Sequence, residues 1–221
     1  MKLYADPMAC SLASHVALVA SGLPHEVVWV EAKTWTTGDP ATKRTEDGRE
    51  YLAINAKGQV PVLELDDGSR LTEGAAILQY IADRAPAAKL APPAGSMERY
   101  RLQEWLNFIA SELHKPVFAP YFGAERQKVL PPEDLRKYVL GILEKRFDYL
   151  EQRLQDRQFL TGGEFSVADA YLLVVLNWAV FAKLDLKRWP KLGAYYLRLN
   201  ELPAVRQVQN QERERRFKQA A

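Results

Sequence analysis

The chain has 221 residues, 48% hydrophobic and 26% charged, so it can bury a sizeable core as one large domain or two small ones. The formal net charge is +2, and the sequence has no cluster of basic residues typical of a nucleic-acid-binding surface, so nucleic acid is not an expected partner. No apolar run approaches membrane-spanning length, and the N-terminus lacks the apolar stretch of a secretory signal. The single cysteine cannot form an internal disulfide, so we predict a cytoplasmic protein that does not use a membrane as a partner.

The first third of the chain alternates between strand and helix patterns. The predicted elements are a strand at 2–5, a helix at 11–22, a strand at 26–30, a short irregular helix near 47–53, strands at 60–65 and 69–71, and a helix at 73–85. Gly22 is a good helix terminator, and the run Asp66, Asp67 and Gly68 predicts a hairpin turn. This order predicts a βαβαββα domain with a mixed four-stranded sheet.

The rest of the chain has helical patterns. A Pro- and Ala-rich stretch reads as a linker, and the predicted helices after it are 98–115, 133–156, 165–182 and 189–199. The third of these is apolar nearly all round, which predicts a central buried helix, and Ser166 with Asp169 forms a capping box at its start. Residues 209–221 hold the whole positive excess and are expected to be a solvated, fraying tail. The fold class is therefore α/β plus all-α, with domains at 1–84 and 98–221 and a linker at 85–97.

Cys10 follows the first strand and precedes the first helix. Helix N-terminal N–H groups lower a thiol's pKa and favour the reactive thiolate, so this position suits a working sulfur. The alternative is a buried hydrophobic cysteine, which is common for a lone thiol. Ala13 stands where a dithiol motif would have its second cysteine, so two-cysteine redox chemistry within the chain is excluded.

Two further places in the first domain suit a ligand. Pro61 opens a strand, and a cis bond to it would turn the Val60 N–H and C=O toward a ligand. Glu73 and Gly74 open the next helix, where backbone N–H groups suit a carboxylate and the Glu73 side chain suits an ammonium. An amino acid head group needs both of these partners. A simple helix-capping role for Glu73 is the competing interpretation.

In the helical part, Asn107, Ser111 and His114 are spaced i, i+4 and i+7, so they share one face. The opposite face is apolar. A polar face is usually only solvated, but an amide, a hydroxyl and an imidazole together can also contact a substrate.

Five stretches of the chain together resemble the glutathione S-transferases, most closely the bacterial beta class. They are "PMACSLASH", "INAKGQVPVLELDDG", "LTEGAAILQYIAD", "WLNFIASELHK" and "FSVADAYL", in the family's order and spread over nearly the whole chain. The resemblance implies a thioredoxin-like N-terminal domain and a helical C-terminal domain that completes the substrate pocket. It also implies a homodimer, with glutathione as co-substrate, a small electrophile as second substrate and no metal.

The resemblance assigns roles to individual residues. Cys10 matches the active-site cysteine that contacts or covalently binds the glutathione sulfur, and Val60 before cis-Pro61 matches the residue that bonds the cysteinyl backbone. The remaining matches are Lys43 for the glycyl carboxylate, Glu73 and Gly74 for the γ-glutamyl end, and Asn107, Ser111 and His114 from the helical domain. His114 is also the second expected catalytic residue.

The sequence departs from the class pattern at four places. Met8 and Gly74 stand where the class usually has Gly and Ser, and Ala56 replaces a usual Pro. Residues 33–41, "KTWTTGDPA", look like an insertion before Lys43, and an unexpected Trp35 within it suggests control of access for bulky electrophiles.

The expected reaction is transfer of the glutathione thiolate to an electrophile, with detoxification as the biological setting. The alternatives are glutathione-dependent thiol–disulfide exchange, reductive dehalogenation, or a glutathione-binding module with little catalysis.

Overall fold

The computed structural model describes residues 1–32, 40–128 and 130–220. The chain divides into two compact units. Unit 1 combines Met1–Leu90 with the C-terminal segment that begins at Pro203, and unit 2 is Ala91–Leu202. This division differs from the predicted boundaries, which keep everything after residue 97 in one helical domain. The predicted insertion lies mainly at residues 33–39, outside the described residues.

Unit 1 contains a five-stranded sheet in the order β3-β2-β1-β4-β5. The strands are β1 Lys2–Ala5, β2 Glu26–Ala32, β3 Lys43–Thr45, β4 Val62–Glu64 and β5 Arg70–Thr72. Strands β1 and β2 are parallel, with Leu3 opposite Val27, and the other neighbours are antiparallel. The central strand β1 is buried over Leu3, Tyr4 and Ala5, so it forms the middle of the unit 1 core.

The prediction of four strands was wrong by one, because β3 lies in the stretch that was expected to be a loop. Its residues, Lys43, Arg44 and Thr45, pair with the end of β2. A three-residue polar edge strand has no apolar alternation and is specified by its neighbour, so the sequence carries no local signal for it. The irregular helix expected near 47–53 is a single 3₁₀ turn at Tyr51–Ala53.

Two helices flank the sheet in the predicted places, α1 at Leu12–Ser21 and α2 at Gly74–Arg84. Helix α1 ends as expected, because Gly22 adopts a φ of +69° and donates its N–H to the Val19 carbonyl at 3.2 Å. Glycine tolerates this left-handed conformation without a steric cost.

The C-terminal segment forms a helix, α8 at Pro203–Ala220, and it packs against α1. The expectation of a fraying tail was therefore wrong. The buried positions are Val205, Val208, Gln209 and Glu212, which share one helical face. Half of that face is polar, so the apolar periodicity that marks a buried helix is missing from the sequence.

Unit 2 is helical. Its helices are α3 Met97–Phe108, α4 Ala119–Gln127, α5 Pro132–Arg153, α6 Val167–Phe181 and α7 Pro190–Glu201, with a π-helical segment Ile109–Phe118 between α3 and α4. Helix α6 is buried along nearly its whole length, as predicted. The capping box at its start is also present, because the Ser166 N–H donates to Asp169 Oδ2 at 2.8 Å. The fold class predicted from the sequence is confirmed.

Candidate functional site

Cys10 lies in a tight turn between β1 and α1. The turn is closed by backbone bonds from the Ala9 N–H to the Asp6 carbonyl and from the Leu12 N–H to the Ala9 carbonyl, both at 3.1 Å. The Ser11 hydroxyl braces it by donating to the Asp6 carbonyl at 3.0 Å and accepting from the Asp6 N–H at 3.1 Å. The turn thus fixes the backbone on both sides of the thiol, and it leaves Cys10 partly exposed.

The structure brings the thiol to the residue that precedes Pro61. Cys10 Sγ donates a hydrogen bond to the Val60 carbonyl oxygen at 3.1 Å, across 50 positions of sequence. The Val60–Pro61 peptide bond is cis. Both Cys10 and Val60 are partly exposed, so the interpretation of Cys10 as a buried filler does not fit its surroundings.

The segment that leads to Val60 is held by Tyr51 and Asn55, which were not predicted as site residues, and by Lys43, which was. The Tyr51 hydroxyl and the Asn55 amide both donate to the Gln59 carbonyl, at 2.9 and 2.7 Å. Burial raises the pKa of the Tyr51 phenol, so it stays a neutral donor. Lys43 belongs to the same assembly, because its Nζ atom donates to the Gly58 carbonyl at 2.8 Å. The sequence around Tyr51 gives no sign that its hydroxyl donates to the Gln59 carbonyl.

Glu73 and Gly74 lie at the start of α2, as the sequence predicts. Glu73 adopts a φ of +69°, an uncommon conformation for a residue with a side chain, and it directly precedes the first helical residue, Gly74. Its carboxylate pairs with Lys57, whose Nζ atom lies 2.5 Å from Glu73 Oε1 and 2.9 Å from Thr72 Oγ1. The simple capping role does not fit, because the Glu73 side chain makes no cap hydrogen bond at this helix.

A buried pair of side chains supports the Cys10 turn from behind. Glu212 of α8 is fully buried; its Oε1 atom lies 2.9 Å from His15 Nδ1, and its Oε2 atom accepts the Met8 N–H at 2.6 Å. Burial raises the pKa of the Glu212 carboxyl. Met8 itself has a φ of +62°, so the carboxylate holds a left-handed residue two positions before the thiol.

Neither His15 nor Glu212 was predicted from the sequence to have a role. His15 lies on the buried side of α1, three residues after Leu12. This position in the helix pattern is the one sequence signal that could have identified it as a buried polar residue. Another charged residue of α8 pairs with the rest of unit 1, since Arg215 lies 2.6 Å from Glu31 and 3.1 Å from Glu46. The positive excess of the C-terminal segment is therefore partly matched by one acidic residue of β2 and one that directly follows β3.

The three candidates of the helical part are on neighbouring turns of unit 2. Asn107 is the penultimate residue of α3, and Ser111 and His114 lie in the π-helical segment. Ser111 Oγ donates to the Asn107 carbonyl at 2.9 Å, and both side chains are exposed, whereas His114 is half-buried. The opposite face is buried, as predicted, at Leu102, Trp105, Leu106, Ile109 and Leu113.

The described part of the chain has no cluster of side chains that could bind a metal ion. No group of three or more His, Cys, Asp or Glu residues within 1–32, 40–128 and 130–220 is arranged to hold a metal ion. Over the same residues, no helix is both long and apolar enough to cross a membrane. The chemistry available is that of one thiol, backbone amides and carbonyls, carboxylates, hydroxyls and an imidazole.

The chain matches two family models. One is described as the glutathione S-transferase N-terminal domain and covers residues 7–84, and the other as the glutathione S-transferase C-terminal domain and covers residues 109–203.

Relatives and solved structures are similar over almost the full chain. The glutathione S-transferase GstA of Escherichia coli O157:H7 is 43% identical over 212 residues, which is 96% of this chain and 98% of that protein. A sphingomonad glutathione S-transferase solved in complex with glutathione is 40% identical with a TM-score of 0.83, covering 96% of this chain and 98% of that one. A bacterial beta-class glutathione S-transferase from Sphingomonas chungbukensis is 38% identical, with the same TM-score and coverage.

Proposed function

This chain belongs to the glutathione S-transferase family, in its bacterial beta class, and on that premise we propose that Cys10 is the sulfur on which its reaction depends. The protein is a glutathione transferase with glutathione as its co-substrate. The observation that carries the proposal is the 3.1 Å hydrogen bond from Cys10 Sγ to the Val60 carbonyl. It places the thiol beside the backbone to which the cysteinyl part of glutathione is assigned.

The glutathione contacts in unit 1 follow from the residues around that thiol. The cysteinyl backbone pairs with the Val60 peptide next to Pro61, and the γ-glutamyl end is bound by the Glu73 carboxylate and the Gly74 N–H. A carboxylate beside helix N-terminal N–H groups matches the charges of an α-amino acid. Glu73 holds the Lys57 ammonium at 2.5 Å, which supports its assignment as a cation receptor.

Lys43 is assigned to the glycyl carboxylate. Its ammonium donates to the Gly58 carbonyl at 2.8 Å, and Gly58 stands two residues before Val60, the proposed cysteinyl contact. Asn107, Ser111 and His114 are assigned to the same reaction on the strength of the family resemblance, with His114 as the second catalytic residue.

The reaction proposed is attack of the glutathione thiolate on an electrophilic carbon of a small molecule. Holding the thiolate next to a bound electrophile converts a bimolecular encounter into a positioned one, and this supplies most of the rate gain. Detoxification in the cytoplasm is the setting that we propose. A panel of aryl halide, epoxide and disulfide substrates, each assayed with glutathione, identifies the class of electrophile.

Thiol–disulfide exchange is a second candidate, favoured by the partial exposure of the single cysteine. The Cys10 thiolate attacks one sulfur of oxidised glutathione; the Cys10–glutathione S–S bond forms, the original S–S bond breaks, and one glutathione thiolate leaves. The chain has no second cysteine to displace the adduct, so it persists until an external thiol attacks.

Mass spectrometry of the native protein tests the role of Cys10. Incubation with oxidised glutathione should add one glutathionyl group per chain, dithiothreitol should remove it, and Cys10→Ala should abolish it. Iodoacetamide should label native Cys10 below the pH at which an ordinary thiol of pKa about 8.5 becomes unreactive. Absence of the adduct, together with labelling only in the unfolded protein, would return Cys10 to a structural role.

We also propose that the protein is a homodimer, as the family resemblance implies. Light scattering at micromolar concentration should give twice the chain mass of 25.1 kDa. A single-chain mass across the working concentration range would contradict this assignment.

A further inference from the structure

The imidazole of His114 is held by two aromatic residues of α6. Its Nδ1 atom lies 2.7 Å from the Tyr171 hydroxyl oxygen, and the two rings meet at 87°. The Trp178 ring centroid lies 4.9 Å from the imidazole centroid. Tyr171 is only 6% exposed and Trp178 only 8%, on a helix that is buried nearly throughout. Both of these aromatic residues therefore belong to a buried helix.

The backbone of His114 is fixed from the other side. It lies in the π-helical segment, where the Ala119 N–H donates to the His114 carbonyl five residues back. Two residues after His114, Pro116 lies within the segment and has no N–H to offer to the helix. The imidazole is therefore positioned by a constrained backbone and by side-chain contacts to α6.

The Tyr171 contact also bears on where the imidazole carries its proton. A neutral imidazole has one N–H and one lone pair, and a phenol oxygen is a weaker acceptor than an imidazole nitrogen. The stronger pairing has the Tyr171 O–H donating to the Nδ1 lone pair, which leaves the proton of the ring on Nε2.

We propose that Tyr171 is a positioning residue that fixes His114 as the Nε2–H tautomer. The proposal rests on the proposed function, because it specifies what His114 does there. A contact that this imidazole makes with a reacting group through Nε2 then offers a proton. His114 acts as a hydrogen-bond donor that stabilises developing negative charge on sulfur or on the leaving group, and it does not act as the base that removes the thiol proton.

Nitrogen NMR of the glutathione-free protein tests the tautomer directly. The chain has three histidines, so long-range ¹H–¹⁵N spectra are simple, and His15→Gln and His25→Gln assign the signals of two of them. In the wild type, His114 Nδ1 should show the shift of a lone-pair nitrogen and Nε2 the shift of a protonated one. Tyr171→Phe should move both shifts toward the average of mixed tautomers.

Tyr196→Phe is the matched control. It also removes a phenol hydroxyl in unit 2, one that donates to Asn177 Oδ1 at 2.9 Å. Its His114 shifts should equal those of the wild type. The proposal is overturned if the wild-type spectrum shows the proton on Nδ1, or if the His114 shifts are unchanged in Tyr171→Phe. The wild-type spectrum tests the tautomer even if a variant folds poorly.

Steady-state kinetics give the second readout. Tyr171→Phe should lower kcat about fivefold, the value of one ordinary hydrogen bond, with the KM for glutathione unchanged. Unchanged kcat in a variant with scrambled tautomers also overturns the proposal. A different result would contradict the proposed function of His114. In that case His114→Ala would retain full activity, although the wild-type imidazole is still the Nε2–H tautomer.

Discussion

The buried Glu212 carboxylate should be one of the most costly side chains to remove from unit 1. Glu212→Ala leaves His15 Nδ1, on a residue only 2% exposed, and the Met8 N–H without their acceptor. An unsatisfied buried group costs about 1–3 kcal/mol, and Glu212→Ala leaves two of them. Relief of the desolvation that raises the Glu212 pKa offsets part of this, so we expect a net loss of about 2–4 kcal/mol.

The pH dependence of this contribution has a definite sign. The pKa of Glu212 is raised above its ordinary value of 4.5 in the folded state, so the folded protein binds more protons than the unfolded chain in the window above pH 4.5. The contribution of Glu212 is therefore fully present below pH 4.5 and is lost as the pH rises through the folded pKa. Glu212→Gln cannot ionise, so its deficit relative to the wild type should shrink as the pH rises through this window.

Thermal unfolding checks both statements, with Glu214→Ala as the control on the same helix. Glu214 is exposed, so its removal should change stability by about 0.5 kcal/mol or less. Glu212→Ala should lower Tm by about 5–15 °C and should speed iodoacetamide labelling of Cys10, because the turn behind the thiol opens more often. If Glu212→Ala has the same Tm as Glu214→Ala, and its Cys10 is labelled at the wild-type rate, the Glu212 carboxylate does not support the Cys10 turn.

Three further substitutions test the proposed glutathione site. Met8→Gly should be neutral or stabilising by up to about 1 kcal/mol in a melting experiment, because φ is +62° at this position; a clear loss would mean that the Met8 side chain outweighs its backbone strain. Gly74→Ser should tighten glutathione binding by about 1 kcal/mol in calorimetry, since a Cβ there meets only Pro61 Cγ at 4.0 Å; weaker binding would show that the added hydroxyl is misplaced. Glu73→Gln should weaken glutathione binding by about 1–2 kcal/mol with an unchanged Tm, and unchanged affinity would remove Glu73 from the site.

Local signals were sufficient for the features that depend on a few adjacent residues. The Cys10 turn, the Asp66–Gly68 hairpin, the end of α1 at Gly22 and the Ser166 capping box each follow from short-range chemistry, and the structure contains all four. The proximity of Cys10 to Val60 followed from the family resemblance, because residues 50 positions apart have no short-range signal that joins them.

The features that sequence reasoning missed are specified by distant partners. Strand β3 exists because β2 offers it hydrogen bonds, and α8 is buried on a face that includes Gln209 and Glu212. A polar residue is buried when another element supplies its hydrogen bonds, and periodicity cannot show that. His15 and Glu212 are 197 positions apart, so neither identifies the other in a single sequence.

Helix α8 makes unit 1 discontinuous, and this has a consequence for how the protein is synthesised. Residues 1–90 leave the ribosome first, whereas Pro203 and the residues after it follow only when unit 2 has been made. Since Glu212 accepts the Met8 N–H across 204 positions, the turn that carries Cys10 lacks its buried support until α8 has been synthesised. Domains of a growing chain commonly fold in order from the N-terminus, but here unit 2 is the uninterrupted piece and can complete first. A nascent chain that stops at Leu202 has every proposed glutathione-binding residue and none of the helix that secures the thiol turn.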